Sequence, residues 1–404
     1  MHCRFAFFAA SRETNLLSKS ASDAGCTPSL ARNVRDATLV ERLSQLIYFF
    51  NMSNMSSKLN IGFVGVGGMG QMAHLRNYAV LKDCQVVAIA ELRPNTARRV
   101  AERYGIPRVY ADHREMLAHE KLDGIVCTQP FTRHGILLPE LFEYGAPVLT
   151  EKPLAGSIQV AERIVAAMRA SKTWHMVAYH KRSDPATICA KAEIDRLRQT
   201  GELGKLRYVR ITMPPGDWIA SGFDELIDEG DPRPALDFDP PSHDLSPRDH
   251  KRFESFVNYY IHQVNLLRHL LGEPYRAVFA DKSEVLFVGE SQTGVTCTLE
   301  MAPYGTTIDW QESALVCFEK GYIKLELPAP VTLNRPGRVE FFRDPGNVAP
   351  QTSSPQLPWV HAHRQQAINF LRAIRGEAPP PCDAIEALED LRIARDWLRL
   401  AAGV

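Results

Sequence analysis

The chain has no excess of charge of either sign, because 47 lysines and arginines balance 47 aspartates and glutamates over 404 residues. This balance provides no broad basic field for nucleic acids or anionic membranes, so we expect neither as a partner. The eight cysteines are scattered without a CxxC pair or a zinc-ligand spacing, which is typical of reduced thiols. No apolar run approaches the roughly 18 residues of a membrane-spanning helix. These absences predict a cytoplasmic protein.

The first part of the chain differs in texture from the rest. Residues 1–57 are rich in Ser, Arg and Asn and show no sustained hydrophobic period. A mitochondrial transit peptide would be poor in acidic residues, but this stretch contains Glu13, Asp23, Asp36 and Glu41. We therefore expect a disordered or spuriously included leader that the fold does not need.

From Asn60 onward, short apolar strands alternate with helical patterns of about 10–15 residues. Such βαβ units form a parallel sheet with right-handed crossovers, so the pattern predicts a Rossmann dinucleotide-binding domain over residues 58–178. Later strands, such as "KLRYVRITM" and "TGVTCTLEM", follow one another with short turns. Residues 179–404 are thus predicted to be an α/β domain for substrate binding and oligomerisation, with a largely antiparallel, open-faced sheet.

The stretch "LNIGFVGVGGMGQMAHL" carries three glycines at GxGxxG spacing between a strand and a helix. Gly65 permits a sharp turn, Gly67 lets the backbone approach a pyrophosphate, and Gly70 lets the helix pack closely. Glu91 ends the next strand, twenty-one residues after Gly70, where a carboxylate accepts hydrogen bonds from the adenosine ribose and repels a 2′-phosphate. We therefore predict NAD as the cofactor, although Arg93 could accommodate the phosphate of NADP. The loop residues assigned to the cofactor are Gly65, Gly67, Gly68, Met69 and Gly70.

Two further strand ends, "VCTQPFTRHG" and "VLTEKPLA", must face the nicotinamide half of such a cofactor, since ligands lie beyond the carboxyl ends of parallel strands. Together with the glycine loop, these segments resemble the Gfo/Idh/MocA family (glucose–fructose oxidoreductase, inositol dehydrogenase and relatives). The resemblance runs from about Leu59 to the C-terminus and includes "GELGKLRYVR" and "HRQQAINFLRAIRGEAPP". It implies that Thr128, Pro130 and His134 line the cofactor.

The resemblance also implies that Lys152, next to Glu151, lies beside the reactive carbon of nicotinamide, often with a cis bond to Pro153. A lysine at the end of a buried strand can be partly desolvated and tuned for proton transfer, whereas a solvated surface pair is the ordinary alternative. In "YHKRSDP", the family places a polar or basic side chain against substrate or nicotinamide. The candidates there are His180, Lys181 and Arg182; we rank Arg182 first for substrate and assign His180 to the cofactor, and a solvated basic turn is the alternative.

The helix predicted over Phe253 to Leu271 contains "FVNYYIHQVNLLRHLLG". In the family, this helix presents an aspartate, then a histidine four residues later, then a second aspartate. Here His262 matches the histidine, while Asn258 and Asn265 replace the aspartates. Asparagine cannot titrate, so proton transfer would depend on Lys152 and His262, with the two asparagines binding substrate hydroxyls. A hydrogen-bonded core histidine is the alternative for His262.

The Pro/Asp-rich run "DEGDPRPALDFDPPSHDLSPRDH" has carboxylates and histidines but no fixed ligand spacing, so we predict a surface lid and no metal site. Trp218 and Phe223 precede it and could form an apolar wall for a sugar ring, which makes Trp218 a substrate-binding candidate.

These observations predict an NAD(P)-dependent oxidoreductase acting on a sugar, polyol or sugar derivative, assembled as a homodimer or homotetramer. Two alternatives stay open: a lyase or glycosidase that recycles its NAD within each turnover, and a sensor that binds NAD without turnover.

Overall fold

The computed structural model describes residues 58–403, so the predicted leader over residues 1–57 lies outside the described part of the chain. The first sheet has six parallel strands in the order β3-β2-β1-β4-β5-β6. Its strands are β1 (Leu59–Val64), β2 (Cys84–Ala90), β3 (Arg108–Tyr110), β4 (Gly124–Cys127), β5 (Val148–Thr150) and β6 (His175–Val177).

The strand order of this sheet reverses between β1 and β4, which are direct neighbours. Ligands of doubly wound sheets bind in the crevice at such a reversal, outside the carboxyl ends of the strands. Helical segments connect the strands: a π-helical turn (Gly70–Leu75) that continues as α1 (Arg76–Tyr78), then α2 (Pro94–Tyr104), α3 (His113–His119), α4 (His134–Glu143) and α5 (Ile158–Ala170).

The second sheet has eight strands in the order β14-β13-β12-β11-β7-β10-β9-β8. All its pairings are antiparallel except that of β7 with β10. Its strands are β7 (Leu206–Thr212), β8 (Tyr275–Ala280), β9 (Leu286–Ser291), β10 (Thr296–Glu300), β11 (Glu312–Phe318), β12 (Gly321–Leu327), β13 (Arg338–Arg343) and β14 (Gln351–Ser353). Burial alternates along β11 and β12, so one face packs on helices while the other is more open. The two sheets together confirm the predicted fold class.

The helix predicted as one element over Phe253 to Leu271 is two helices, and this prediction was wrong. Helix α7 (Pro247–Tyr259) begins earlier, where Ser246 caps it by accepting from the Asp249 N–H, and α8 (Ile261–Leu271) follows after a break at Tyr260. Helix α6 (Pro185–Thr200) connects the two sheets. None of the helices in residues 58–403 combines the length and apolarity needed to cross a bilayer.

Two more helices follow the second sheet, α9 (Ala362–Ile374) and α10 (Ala384–Ala402). Helix α9 returns to the first sheet, where Phe370 and Leu371 share a core with Ile61 and Phe63 of β1. The division at residues 178/179 remains a prediction, since this late helix completes a sheet formed by the early part of the chain.

Candidate active site

A cavity of about 600 Å³ lies at the crevice between β1 and β4 and extends to the second sheet. Its wall includes nearly all of the side chains that the sequence assigned to cofactor and substrate. These residues are Gly65, Gly67, Gly68, Met69, Gly70, Glu91, Arg93, Thr128, Pro130, Glu151, Lys152, His180, Trp218, Asn258 and His262.

The glycine loop forms a cradle that larger residues would fill. Gly65 has a φ of +89°, and a Cβ on Gly70 would lie 2.5 Å from the Thr128 Oγ1. The Thr128 hydroxyl donates to the Gly65 carbonyl at 2.7 Å and so braces the turn. A Cβ on Gly67 would meet no atom within 4 Å, which leaves room for a ligand against the backbone. This loop fits the pyrophosphate of a dinucleotide.

The carboxylate of Glu91 closes the loop from the end of β2. It accepts a hydrogen bond from the Val66 N–H at 2.9 Å and another from the Arg93 Nε at 2.9 Å. Burial favours the protonated acid, but the bonds from Arg93 and Val66 outweigh it and hold the pKa of Glu91 below its usual value. The group is thus an ionised acceptor, and Arg93 is already engaged in neutralising it.

Lys152 lies where the cavity passes from the first sheet to the second. The peptide bond to Pro153 is cis, as the resemblance implied. The Lys152 Nζ donates a hydrogen bond to the Asn258 carbonyl at 2.6 Å. Burial lowers the pKa of Lys152, and Lys181 lowers it further while Glu151 raises it. A lysine in this setting can give up its proton more readily than a surface lysine.

Four histidine rings near Lys152 contact one another in a row. His262 lies edge-on to His180 at 4.5 Å between centroids, and His180 stacks on His363 at 4.4 Å. His363 in turn lies 5.7 Å from His74. Burial lowers the pKa of His262 well below its ordinary value, with Lys152 and Lys181 contributing, so its imidazole is neutral and can accept a hydrogen bond.

His74 pairs with Glu151 at 2.6 Å between Nε2 and Oε1. Together with His363, these side chains bring three potential metal-ligand atoms within 4.8 Å of one another. The 2.6 Å separation is a hydrogen bond and is shorter than the roughly 3.3 Å between two ligands of one tetrahedral zinc ion. We interpret the pair as the contact that orients Glu151.

Lys181, the residue after His180, forms a buried ion pair with Glu312. Gln263 donates to the other oxygen of that carboxylate at 2.7 Å, and the Lys181 ammonium lies 5.5 Å from the centre of the Trp310 ring. Lys181, Gln263 and Trp310 line the cavity, as does Tyr259. Sequence reasoning missed Gln263, Tyr259 and Trp310, because their orientation depends on the break between α7 and α8 and on the loop before β11.

The structure places three of the predicted site residues outside the cavity wall. Arg182 is buried and donates to the Asn265 Oδ1 at 2.7 Å and to Glu386 at 2.9 Å. Asn265 also donates to the Asp390 carboxylate at 2.6 Å. These bonds tie helices α8 and α10 together, and they leave neither side chain turned toward a substrate. His134 is fully buried with its Nδ1 3.0 Å from the Leu154 carbonyl oxygen, so it supports the loop after Lys152 rather than facing the cavity.

Comparison with known proteins gives matches over both parts of the chain. Residues 59–179 match the family described as "Oxidoreductase family, NAD-binding Rossmann fold". An uncharacterized oxidoreductase of Bacillus subtilis, YrbE, is 21% identical over 84% of this chain and 94% of its own length. An inositol 2-dehydrogenase of Rubrobacter xylanophilus is 31% identical, but only over 35% of this chain and 41% of that enzyme.

Among solved structures, a levoglucosan dehydrogenase in complex with NADH and levoglucosan superposes with a TM-score of 0.65 at 18% identity. The match covers 86% of this chain and 98% of that one. At this identity, the likeness establishes the shared two-sheet fold.

Proposed function

We propose that this chain, whose residues 59–179 match the oxidoreductase family with an NAD-binding Rossmann fold, is a Gfo/Idh/MocA-type enzyme and an NAD-dependent dehydrogenase of a sugar, polyol or sugar derivative. The observation that carries this proposal is the convergence of Lys152 and His262 on the cavity that the glycine loop and Glu91 also line. The inositol 2-dehydrogenase and levoglucosan dehydrogenase among the matches support a polyhydroxylated substrate.

When bound, NAD supplies the hydride acceptor at the cavity. Lys152, with its lowered pKa, would take the proton of the reacting hydroxyl on its Nζ. His262 accepts a hydrogen bond from that hydroxyl through its neutral imidazole and so polarises it. The amide of Asn258 holds the hydroxyl in place, and Trp218 and Trp310 provide flat apolar surface for the sugar ring.

We test this proposal with a panel of polyols, sugars and sugar acids, following NADH absorbance. Steady NADH release with a polyhydroxylated substrate is the expected result. Reduction of bound NAD without net NADH release would instead favour a redox-neutral lyase or glycosidase. Tight NAD binding with no response to any member of the panel would favour a sensor.

The open face of the second sheet supports the proposal of a homodimer or homotetramer. Tyr322 and Phe342 stack there with centroids 5.2 Å apart, and both are only partly buried in the single chain. Sedimentation analysis would show a dimer or tetramer, and a monomer at micromolar concentration would contradict the proposal.

A further inference from the structure

The long connection between β7 and α7 crosses the cofactor crevice. We call residues 217–239 the crossing segment. The sequence predicted a surface lid for much of this region. In the structure, the segment is hydrogen-bonded to loops of the first sheet on both sides of the crevice.

The first anchor is on the glycine loop. Gln71, which follows Gly70 directly, is fully buried and forms a reciprocal pair with the backbone of Ile227. Its Nε2 donates to the Ile227 carbonyl at 2.9 Å, and its Oε1 accepts from the Ile227 N–H at 3.1 Å. The Phe223 ring lies so near the loop that a Cβ on Gly68 would be 3.0 Å from it. The crossing segment thus packs directly on the loop that cradles phosphates.

The second anchor is at the start of α2, beside Glu91. This helix has no capping side chain from its own N-cap residue. Asp231 supplies the cap, accepting from the Thr96 N–H at 2.8 Å and the Asn95 N–H at 3.2 Å. It also accepts from the Thr96 hydroxyl at 2.8 Å and from the Asn95 side-chain amide at 2.9 Å. A distant residue therefore satisfies helix-end donors that would otherwise lack partners.

The third anchor lies across the crevice, at the start of α4. The Asp239 N–H donates to the Thr132 carbonyl at 2.7 Å, and the Asp239 carboxylate accepts from the Gly135 N–H at 2.8 Å. Arg133 donates to the Asp237 carbonyl at 2.8 Å. The crossing segment is thus fixed to the loop after β4 as well as to the loops after β1 and β2.

Between the first and third anchors, the crossing segment forms a wall of the cavity. That wall faces the glycine loop and Glu91 and includes Leu226, Ile227, Asp228, Arg233, Pro234 and Leu236. A dinucleotide at the reversal point of the sheet lies in this crevice, beneath the segment. We propose that the crossing segment is a strap that retains the nicotinamide dinucleotide, which exchanges only when the anchors on one side of the crevice break.

Retention is tested by the dissociation rate of NADH. NADH bound to the full chain is chased with excess NAD, and the loss of its protein-bound fluorescence is followed by stopped flow. Asp231→Ala and Asp239→Ala each remove one anchor, and each is expected to speed dissociation at least tenfold. The double variant should be faster than either single variant. The matched control is Asp281→Ala, because the Asp281 carboxylate also accepts from backbone N–H groups, those of Ser283, Val285 and Leu286, in a hairpin turn of the second sheet.

Asp231→Asn keeps the size of the side chain and one acceptor oxygen, so it tests the anchor if an alanine variant fails to fold. Its NADH dissociation rate should lie between that of the wild type and that of a protein without the strap. If all the Asp231 and Asp239 variants release NADH at the wild-type rate, the proposal is overturned. Equal acceleration in the Asp281→Ala control, or failure of the chain to bind NADH, would also overturn it. The measurement uses no substrate. A fast wild-type rate would therefore reject retention and leave the dehydrogenase proposal standing, whereas a silent substrate panel would leave retention standing.

Discussion

The side-chain nitrogen of Lys152 donates to the backbone carbonyl of Asn258, with 2.6 Å between Nζ and O. Asn258 lies in the last turn of α7, where carbonyl groups lack partners from their own helix. The break at Tyr260 therefore does two things: it frees this acceptor for Lys152, and it starts α8 so that His262 faces the same cavity. The side chain of Asn258 takes no part in holding the lysine.

Replacing either of the two proposed catalytic residues should abolish most of the turnover. We expect Lys152→Ala and His262→Ala each to lower kcat by a factor of about 10² or more, the usual contribution of a placed acid or base. NAD affinity should survive in His262→Ala, because α8 does not contribute to the glycine loop. His269→Ala is the matched control, since His269 lies on the same helix but outside the cavity wall. Near-normal kcat in His262→Ala would identify His262 as a core histidine.

Asn258 should affect substrate binding without changing ionisation. In Asn258→Ala, we expect a raised KM and an unmoved pH profile, because the amide does not titrate and the backbone bond to Lys152 remains. Asn258→Asp adds a carboxylate near Lys152, which favours the ammonium form and raises the lysine pKa. The limb of the kcat profile that needs the neutral amine should therefore move to higher pH. An unshifted profile in Asn258→Asp would argue against Lys152 as the base.

Cofactor preference should follow Glu91. We expect the wild type to bind NAD more tightly than NADP, because an ionised carboxylate at the end of β2 repels a 2′-phosphate. Glu91→Ser removes that repulsion and frees Arg93, so NADP affinity should rise relative to NAD in fluorescence titrations. Equal or tighter NADP binding by the wild type would assign the site to Arg93.

Breaking the buried ion pair of Lys181 with Glu312 should be costly. Lys181→Met leaves a buried carboxylate with only Gln263 as a partner, and such losses cost about 3–5 kcal/mol of unfolding free energy. Adding Glu312→Gln should recover part of that loss in urea unfolding. The control is Lys191→Met, which breaks an exposed pair with Asp195 on one helix face and should cost about 0.5 kcal/mol or less. A cost for Lys181→Met as small as that of the control would contradict a stabilising role for this ion pair.

His175 should make the protein less stable in mild acid. It is fully buried beside Thr150, and burial lowers its pKa from 6.5 to about 3. As the pH falls below about 6.5, the unfolded chain binds a proton that the folded chain refuses, so the free energy of unfolding decreases. Between pH 7 and pH 5, this single group should account for about 2 kcal/mol. His175→Gln should reduce the pH dependence by that amount, whereas the exposed His243→Gln should leave it unchanged; equal slopes in the two variants would contradict the assignment.

The first sheet was predictable from the sequence because its signals are local. The glycines, the apolar strands and Glu91 follow one another within one βαβ unit; the fold class is confirmed, and the family model matches this same part of the chain. The sequence could not predict the orientation of side chains whose hydrogen-bond partners are distant along the chain. In "YHKRSDP", Arg182 has no evident partner and so was predicted to bind substrate. In the structure, it bonds to Asn265 and Glu386, which lie far along the chain.

The break between α7 and α8 was hidden for a related reason. No proline or glycine marks it, since the local sequence is "VNYYIHQV". Packing of Tyr260, whose hydroxyl donates to the Met301 carbonyl at 2.8 Å, is a tertiary contact that hydrophobic periodicity does not encode. The same holds for the crossing segment, whose composition predicts a surface loop although its anchors are spread over three loops of the first sheet.

Because α9 comes late in the sequence, it is synthesised long after the strands of the first sheet that it covers. The strands of the first sheet are complete at Val177, but Phe370 and Ile374, which pack beside Gly124 and Ile61, are synthesised only after a further stretch of about 190 residues. At about 5–20 residues per second, a ribosome needs roughly ten to forty seconds to add the intervening chain. During that time, one face of the nascent sheet lacks its apolar cover. A chain interrupted before Ala362 would thus expose this face permanently and present a natural target for chaperones and proteases.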